Sequence, residues 1–168
     1  FRFKYVLKLP RGESGVAQRV GTTTHDVLQN MLETGASEVS AELFDKSAER
    51  SSLVGEELDR ARTYIKGSES FSARIRAFEE KRKVVTKYIE KDFAFDTSFE
   101  ACDYDAPGAI ARGRIDYAAI TDQFRAIILD HKTGQAKAAE VHATQLHIYL
   151  LAMFALHPNL GWGEAGIH

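Results

Sequence analysis

Cysteine is almost missing from this chain: Cys102 is the only one among 168 residues. A lone thiol closes no internal disulfide, and it cannot build a four-cysteine cluster from this chain alone. A reducing, intracellular setting fits that usage. Long apolar runs are missing too, and none approaches the ~20 residues of a membrane span. The chain opens Phe1-Arg2-Phe3-Lys4, without the apolar core and cleavage site of a secretory signal. It also opens without Met, so a fragment of something longer is expected. An excess of positive charge is missing as well. Lysine and arginine number 22 against 24 acids, for a net charge of −2 and a pI of about 6.3. Nucleic-acid binders often carry a basic balance, so the overall charge weighs against that class. Two local clusters weigh the other way: Lys81-Arg82-Lys83 with Lys87 and Lys91, and Arg2, Lys4, Lys8, Arg11 and Arg19 near the start. Each fits equally well a solvated helix face or a charged terminus.

What is present suits one domain with a real core; hydrophobic residues make up 44% and charged ones 27%, as in ordinary soluble globular chains. Residues 1–9 form an apolar, aromatic-rich lead-in, followed by a Pro/Gly/Ser loop at 10–15. Val27, Leu28, Met31 and Leu32 recur at helical spacing, with Thr22 or Thr23 as cap and Gly35 as stop. A helical arm at about 38–83 comes next, broken near Ser51-Ser52 and again by the turn Gly67-Ser68-Glu69-Ser70. Then the period changes. β-Branched and aromatic residues at 84–90 and 93–95 predict a first strand. Residues 110–121 predict a second and 124–130 a third, with Asp122-Gln123 as the hairpin link. Residues 138–156 predict a long helix, and the tail from Leu160 has the makings of another strand. There is no internal repeat and no low-complexity segment. The order implies an α/β or α+β fold, a small mixed sheet flanked by helices.

The chemistry sits at the strand ends. Asp116 follows Ile115; Asp130 ends Ile127-Ile128-Leu129, and Lys132 stands two residues on. Charge persists at such places only with partners. Side chains two apart in a strand share a side, so Asp130 pairs with Lys132, and the hairpin can bring Asp116 alongside. Two carboxylates meeting at one point repel unless a cation lies between them, and hard oxygen ligands select Mg²⁺ or Mn²⁺ over Zn²⁺. Such an ion lowers the pKa of bound water and neutralises charge on a phosphate. Lys132 can orient or deprotonate that water, or bind the phosphate. Phosphodiester hydrolysis needs this combination. A surface salt bridge between Asp130 and Lys132 also fits, since a D-x-K tripeptide alone does not choose. In the last helix Gln145 and Tyr149 share a face with His142. They either face the site and touch a phosphate backbone, or Tyr149 packs its ring on the core with its hydroxyl toward solvent. His25 is expected in the first turn of its helix, where free N–H groups favour anions. There it either ligates a metal or phosphate, or binds nothing.

In order, Gly21-Thr22-Thr23-Thr24-His25, Gly113-Arg114-Ile115-Asp116, Asp130-His131-Lys132-Thr133-Gly134 and Gln145-Leu146-His147-Ile148-Tyr149 resemble the G-x-x-x-H, G-x-x-D, (D/E)-x-K-T-G and Q-x-x-x-Y motifs of the RecB-type branch of the PD-(D/E)XK nuclease superfamily. The resemblance spans roughly residues 21–156. It implies a restriction-endonuclease-like core, with the helical arm as an insertion before the sheet. It implies a metal-dependent deoxyribonuclease, an exonuclease acting on DNA ends in recombination, repair or phage DNA metabolism. Asp116 and Asp130 would hold Mg²⁺ or Mn²⁺, with the backbone carbonyl of His131 and the side chain of His25 as further ligands. Lys132 would act on the attacking water, and Gln145 and Tyr149 would position the strand being cut. Glu90 is a candidate for the acid that some members carry on the first strand. The expected partners are DNA and, as a candidate, a helicase or recombination protein; the expected location is the cytoplasm of a bacterial or phage-infected cell. Cys102 falls mid-chain, away from where iron–sulfur members place their four cysteines, so no cluster is expected. A non-cutting nucleic-acid-binding or assembly module and a structure-selective endonuclease are the alternatives on the same scaffold.

Overall fold

A stripe of apolar side chains decides where the first helix runs. In the computed structural model, which describes residues 15–132 and 142–167, α1 spans Val16–Thr34. Val20, Val27, Leu28, Met31 and Leu32 form its buried face, at the spacing of one side of a helix. Gly35 ends it at φ 71°, the left-handed conformation glycine adopts without penalty. Threonine does not cap it. The helix begins at Gly15 and Val16, and Thr23 and Thr24 lie fully buried in its middle. The Thr24 hydroxyl donates to the Val20 carbonyl one turn back, so this polar group enters the core already bonded. His25 therefore sits mid-helix, and the free N–H groups expected around it are absent.

The arm is two helices rather than three. The first, α2, spans Ala41–Arg50 and is capped by Ser40, whose hydroxyl accepts from the Leu43 amide. After a break in which Ser52 and Gly55 both have φ 53°, α3 runs unbroken over Glu56–Arg82. It passes straight through Gly67-Ser68-Glu69-Ser70, where the sequence predicts a turn. Glycine and serine are weak helix breakers whose cost tertiary packing overrides. Here Ala61, Ile65, Ser68, Phe71, Ser72 and Ile75 make one buried stripe, and α1 and α3 pack along their lengths.

The sheet holds four strands in the order β1-β2-β3-β4: β1 (Val84–Phe95), β2 (Ala111–Thr121), β3 (Arg125–Asp130) and β4 (Trp162–Ile167). The first three pair antiparallel and β4 lies parallel to β3. The β2–β3 link has three residues, not two, because Phe124 takes a left-handed φ of 54° and its amide donates to Thr121. The last helix, α4, spans Ala143–Leu156. Leu28, Leu32, Phe71 and Ile75 of α1 and α3 cover one face of the sheet over Tyr117 and Ala119. Tyr149, Ala152 and Met153 of α4 cover the other, over Phe93, Ile115, Ala118 and Ile128. The mixed sheet flanked by helices is the architecture the sequence implies. Among the described residues no helix is long and apolar enough to cross a membrane. Residues 1–14, Thr133-Gly134 and the expected helix start at 138–141 lie outside the described residues.

Candidate metal centre

The pleat of the sheet turns over at one point. In β2, Ile115 packs with the α4 side while Tyr117, two residues on, packs with the α1/α3 side. Residues two apart normally share a face. Across the ladder, Ile89 packs with Tyr117 and Phe93 with Ile115, the same reversal. Pairing is continuous around it, Ile89 with Tyr117 and Lys91 with Ile115, so Glu90 lies opposite Asp116. Glu90 has φ 48°, a conformation that costs a non-glycine residue on the order of 1–3 kcal/mol. The reversal frees both carboxylates from the regular in-and-out alternation and lets them converge.

His25 reaches them from the middle of α1. Its Nδ1 lies 3.3 Å from Glu90 Oε1 and 3.9 Å from Asp116 Oδ1. One ligand atom from each of the three falls within 4.8 Å of the others, close enough to share a cation. Burial is the largest influence on the Asp116 carboxyl and, with the charges of Asp130 and Glu90, pushes its pKa up to about 6 against the pull of His25 and the His131 amide. Burial works to lower the His25 pKa, but the bond to Glu90 and the charges of Asp116 and Glu90 outweigh it and leave it raised. The cluster holds more negative charge than its surroundings solvate, which is the condition a divalent ion relieves.

Asp130 stands beside this cluster, only 1% exposed at the end of β3. Lys132 Nζ lies 2.7 Å from its Oδ2, without the alignment of a hydrogen bond. Gln145 donates to its Oδ1 at 3.2 Å and to the Tyr149 hydroxyl at 2.5 Å. The His131 amide donates to Asp116 Oδ2 at 2.7 Å, locking one acid to the strand that ends in the other. The residues singled out from the sequence thus gather in one place: His25, Asp116, Asp130, Lys132, Gln145 and Tyr149. Two arrangements differ from expectation. The Tyr149 ring is buried edge-on against Phe93, and its hydroxyl faces Gln145 rather than solvent. The three-ligand group is completed by Glu90, the candidate first-strand acid; its only signal in the sequence is a carboxylate inside a β-branched and aromatic run. The His131 imidazole is buried, stacked on Phe71 and edge-on to His25, and lies 3.4 Å from the Ser68 hydroxyl. Neither Ser68 nor Phe71 could be placed here from sequence, because α3 brings them in from 60 residues away.

A groove of about 360 Å³ opens onto the cluster between the outer side of α1 and the β1–β2 strands, lined by Gln18, Thr22, His25, Gln29, Glu90 and Arg114 among others. No curated protein matches the chain. The family profile described as the PD-(D/E)XK nuclease superfamily matches residues 1–166.

Proposed function

Because the chain belongs to the PD-(D/E)XK nuclease superfamily, we propose that it is a metal-dependent DNA nuclease of the RecB-type branch, cutting phosphodiester bonds from DNA ends. The observation that carries this reading is the meeting of His25, Glu90 and Asp116 within reach of one cation, with Asp130 and Lys132 alongside. His25, Glu90, Asp116 and Asp130 would hold Mg²⁺ or Mn²⁺, with the His131 carbonyl as a further ligand. The imidazole in the set favours Mn²⁺ more than an all-oxygen site would. When bound, the ion supplies a water of lowered pKa and neutralises charge on the phosphate.

The protein's own residues do the rest. The His131 amide and Gln145 hold Asp116 and Asp130 in place, so neither carboxylate must reorganise as charge develops. Lys132 Nζ, 2.7 Å from Asp130 Oδ2 on a side chain 38% exposed, orients the water or pairs with the scissile phosphate. Tyr149 supports Gln145 from the core side.

The test is end-labelled linear DNA and closed circular DNA, each with Mg²⁺, Mn²⁺ or EDTA. Linear DNA should be degraded only with metal, and circular DNA spared. Asp116→Ala, Asp130→Ala and Lys132→Ala should each lower the cleavage rate by at least about a hundredfold with unchanged circular dichroism. Full activity in any one of them would remove its assigned role, and cutting of circular DNA would move the enzyme to the endonuclease class.

A further inference from the structure

The basic cluster Lys81-Arg82-Lys83 has no part in the metal centre, yet the fold builds something around it. At the end of β3 away from Asp130, these residues meet Arg125 and Trp162 around a polar groove of about 320 Å³. Two backbone bonds fasten the three elements together. The Asp122 amide donates to the Lys83 carbonyl, and the Gly161 amide to the Phe124 carbonyl. Trp162 is 48% exposed and Phe124 61% exposed, and the Arg125 guanidinium lies over the Trp162 ring at 5.7 Å. Among the described residues none of the four cations makes an ion pair. Asp122 and Glu164 share the rim, leaving four positive charges against two negative.

Basic residues in the last turn of a helix are favoured by its dipole alone. That accounts for Lys81 and Arg82. It accounts neither for Arg125, which comes from the hairpin, nor for an exposed tryptophan beside it. Cations that track a backbone, interleaved with open aromatic faces, suit a polyanion whose bases are free to stack. We infer that this groove binds a single-stranded stretch of the nucleic-acid substrate, phosphates on Lys81, Lys83 and Arg125 and a base on Trp162. The inference rests on the nuclease reading and extends it. Arg125 and Asp130 lie five residues apart along β3, roughly 17 Å at ~3.4 Å per residue. A stacked strand reaching both places takes about five steps of ~3.4 Å, roughly six nucleotides. The groove therefore anchors substrate at a distance and does not touch the bond being cut.

Trp162 is the only tryptophan, so its emission reports on this groove alone. The whole chain in EDTA is titrated with dT20, dT4 and a polyglutamate peptide. Quenching by dT20 is expected, with much weaker quenching by the other two. Lys81→Ala/Lys83→Ala should weaken dT20 binding about tenfold and shrink the slope of log K against log salt by about 1.4. With Mn²⁺, Trp162→Ala should raise KM for dT20 while Trp162→Phe, which keeps a stacking face, restores it. Hydrolysis of bis(p-nitrophenyl) phosphate should be unchanged in all of these variants. No quenching by dT20, or quenching indifferent to the two lysines, overturns the proposal. Equal quenching by polyglutamate also overturns it and assigns the groove to an acidic protein partner. Ester hydrolysis without quenching leaves the nuclease reading standing alone; quenching without any hydrolysis leaves the groove standing and removes the nuclease.

Discussion

Asp116 is the residue on which stability and function pull in opposite directions. Burial first, then the neighbouring acids, hold its pKa near 6, above the ~3.9 of an unfolded chain. A folded-state pKa that is raised contributes stability fully present below the unfolded value and lost as pH rises through the folded one. Without metal, the fold should therefore weaken between about pH 4 and pH 7. Two units correspond to about 3 kcal/mol, an upper figure because the carboxyl is coupled to neighbouring charges. Asparagine has no charge to desolvate. In EDTA, Asp116→Asn should therefore unfold at higher urea than the native chain at pH 8 and at about the same urea at pH 4. Equal midpoints for the two proteins at both pH values would mean that the carboxylate is not strained. Sequence could name Asp116 but not this conflict, which comes first from burial and then from Asp130 and Glu90 arriving from other strands.

At the scale of elements, α3 shows where sequence reasoning and the fold part. The Gly67-Ser68-Glu69-Ser70 run looks like a turn because glycine and both serines have weaker helix propensity. The chain stays helical because Ser68 and Ser72 are small enough to be buried in the stripe that packs on the first helix. Gly67 lies on the opposite, exposed side, and a Cβ added there meets nothing within 4 Å. Gly67→Ala should stabilise the protein by about 0.5–1 kcal/mol, raising Tm by roughly 1–4 °C, as differential scanning calorimetry would detect. A fall in Tm would indicate that the helix needs a flexible point there. Gly113 behaves oppositely, since a Cβ on it would come within 3.0 Å of the Phe93 ring.

For the molecule as a whole, the candidate metal centre joins the first helix, all of the first three strands and the last helix. An ion bound there ties the layers together and should act as a folding ligand. At a hundred times its Kd it adds about 2.7 kcal/mol. Mn²⁺ should raise Tm by several degrees in the native chain and by much less in Asp116→Asn, read by thermal melts with Mn²⁺ against EDTA. Equal shifts in both would place the ion elsewhere. The near-neutral net charge of −2 conceals a division the fold makes visible: Glu90 and Asp116, in mid-strand, gather with Asp130 in one place, and four cations against two acids line the groove at the Arg125 end of β3.

Strand and helix order, the stop at Gly35 and the mixed sheet between helices follow from local pattern, because periodicity and spacing are properties of neighbours in the chain; the site residues follow from the resemblance of four short motifs in order. The start of the first helix, the unbroken third helix, the reversal at Glu90 and Asp116 and the basic groove around Trp162 do not. Each depends on which distant surface a residue is buried against, and that is decided only when helices and strands from separate parts of the chain compete for the same core.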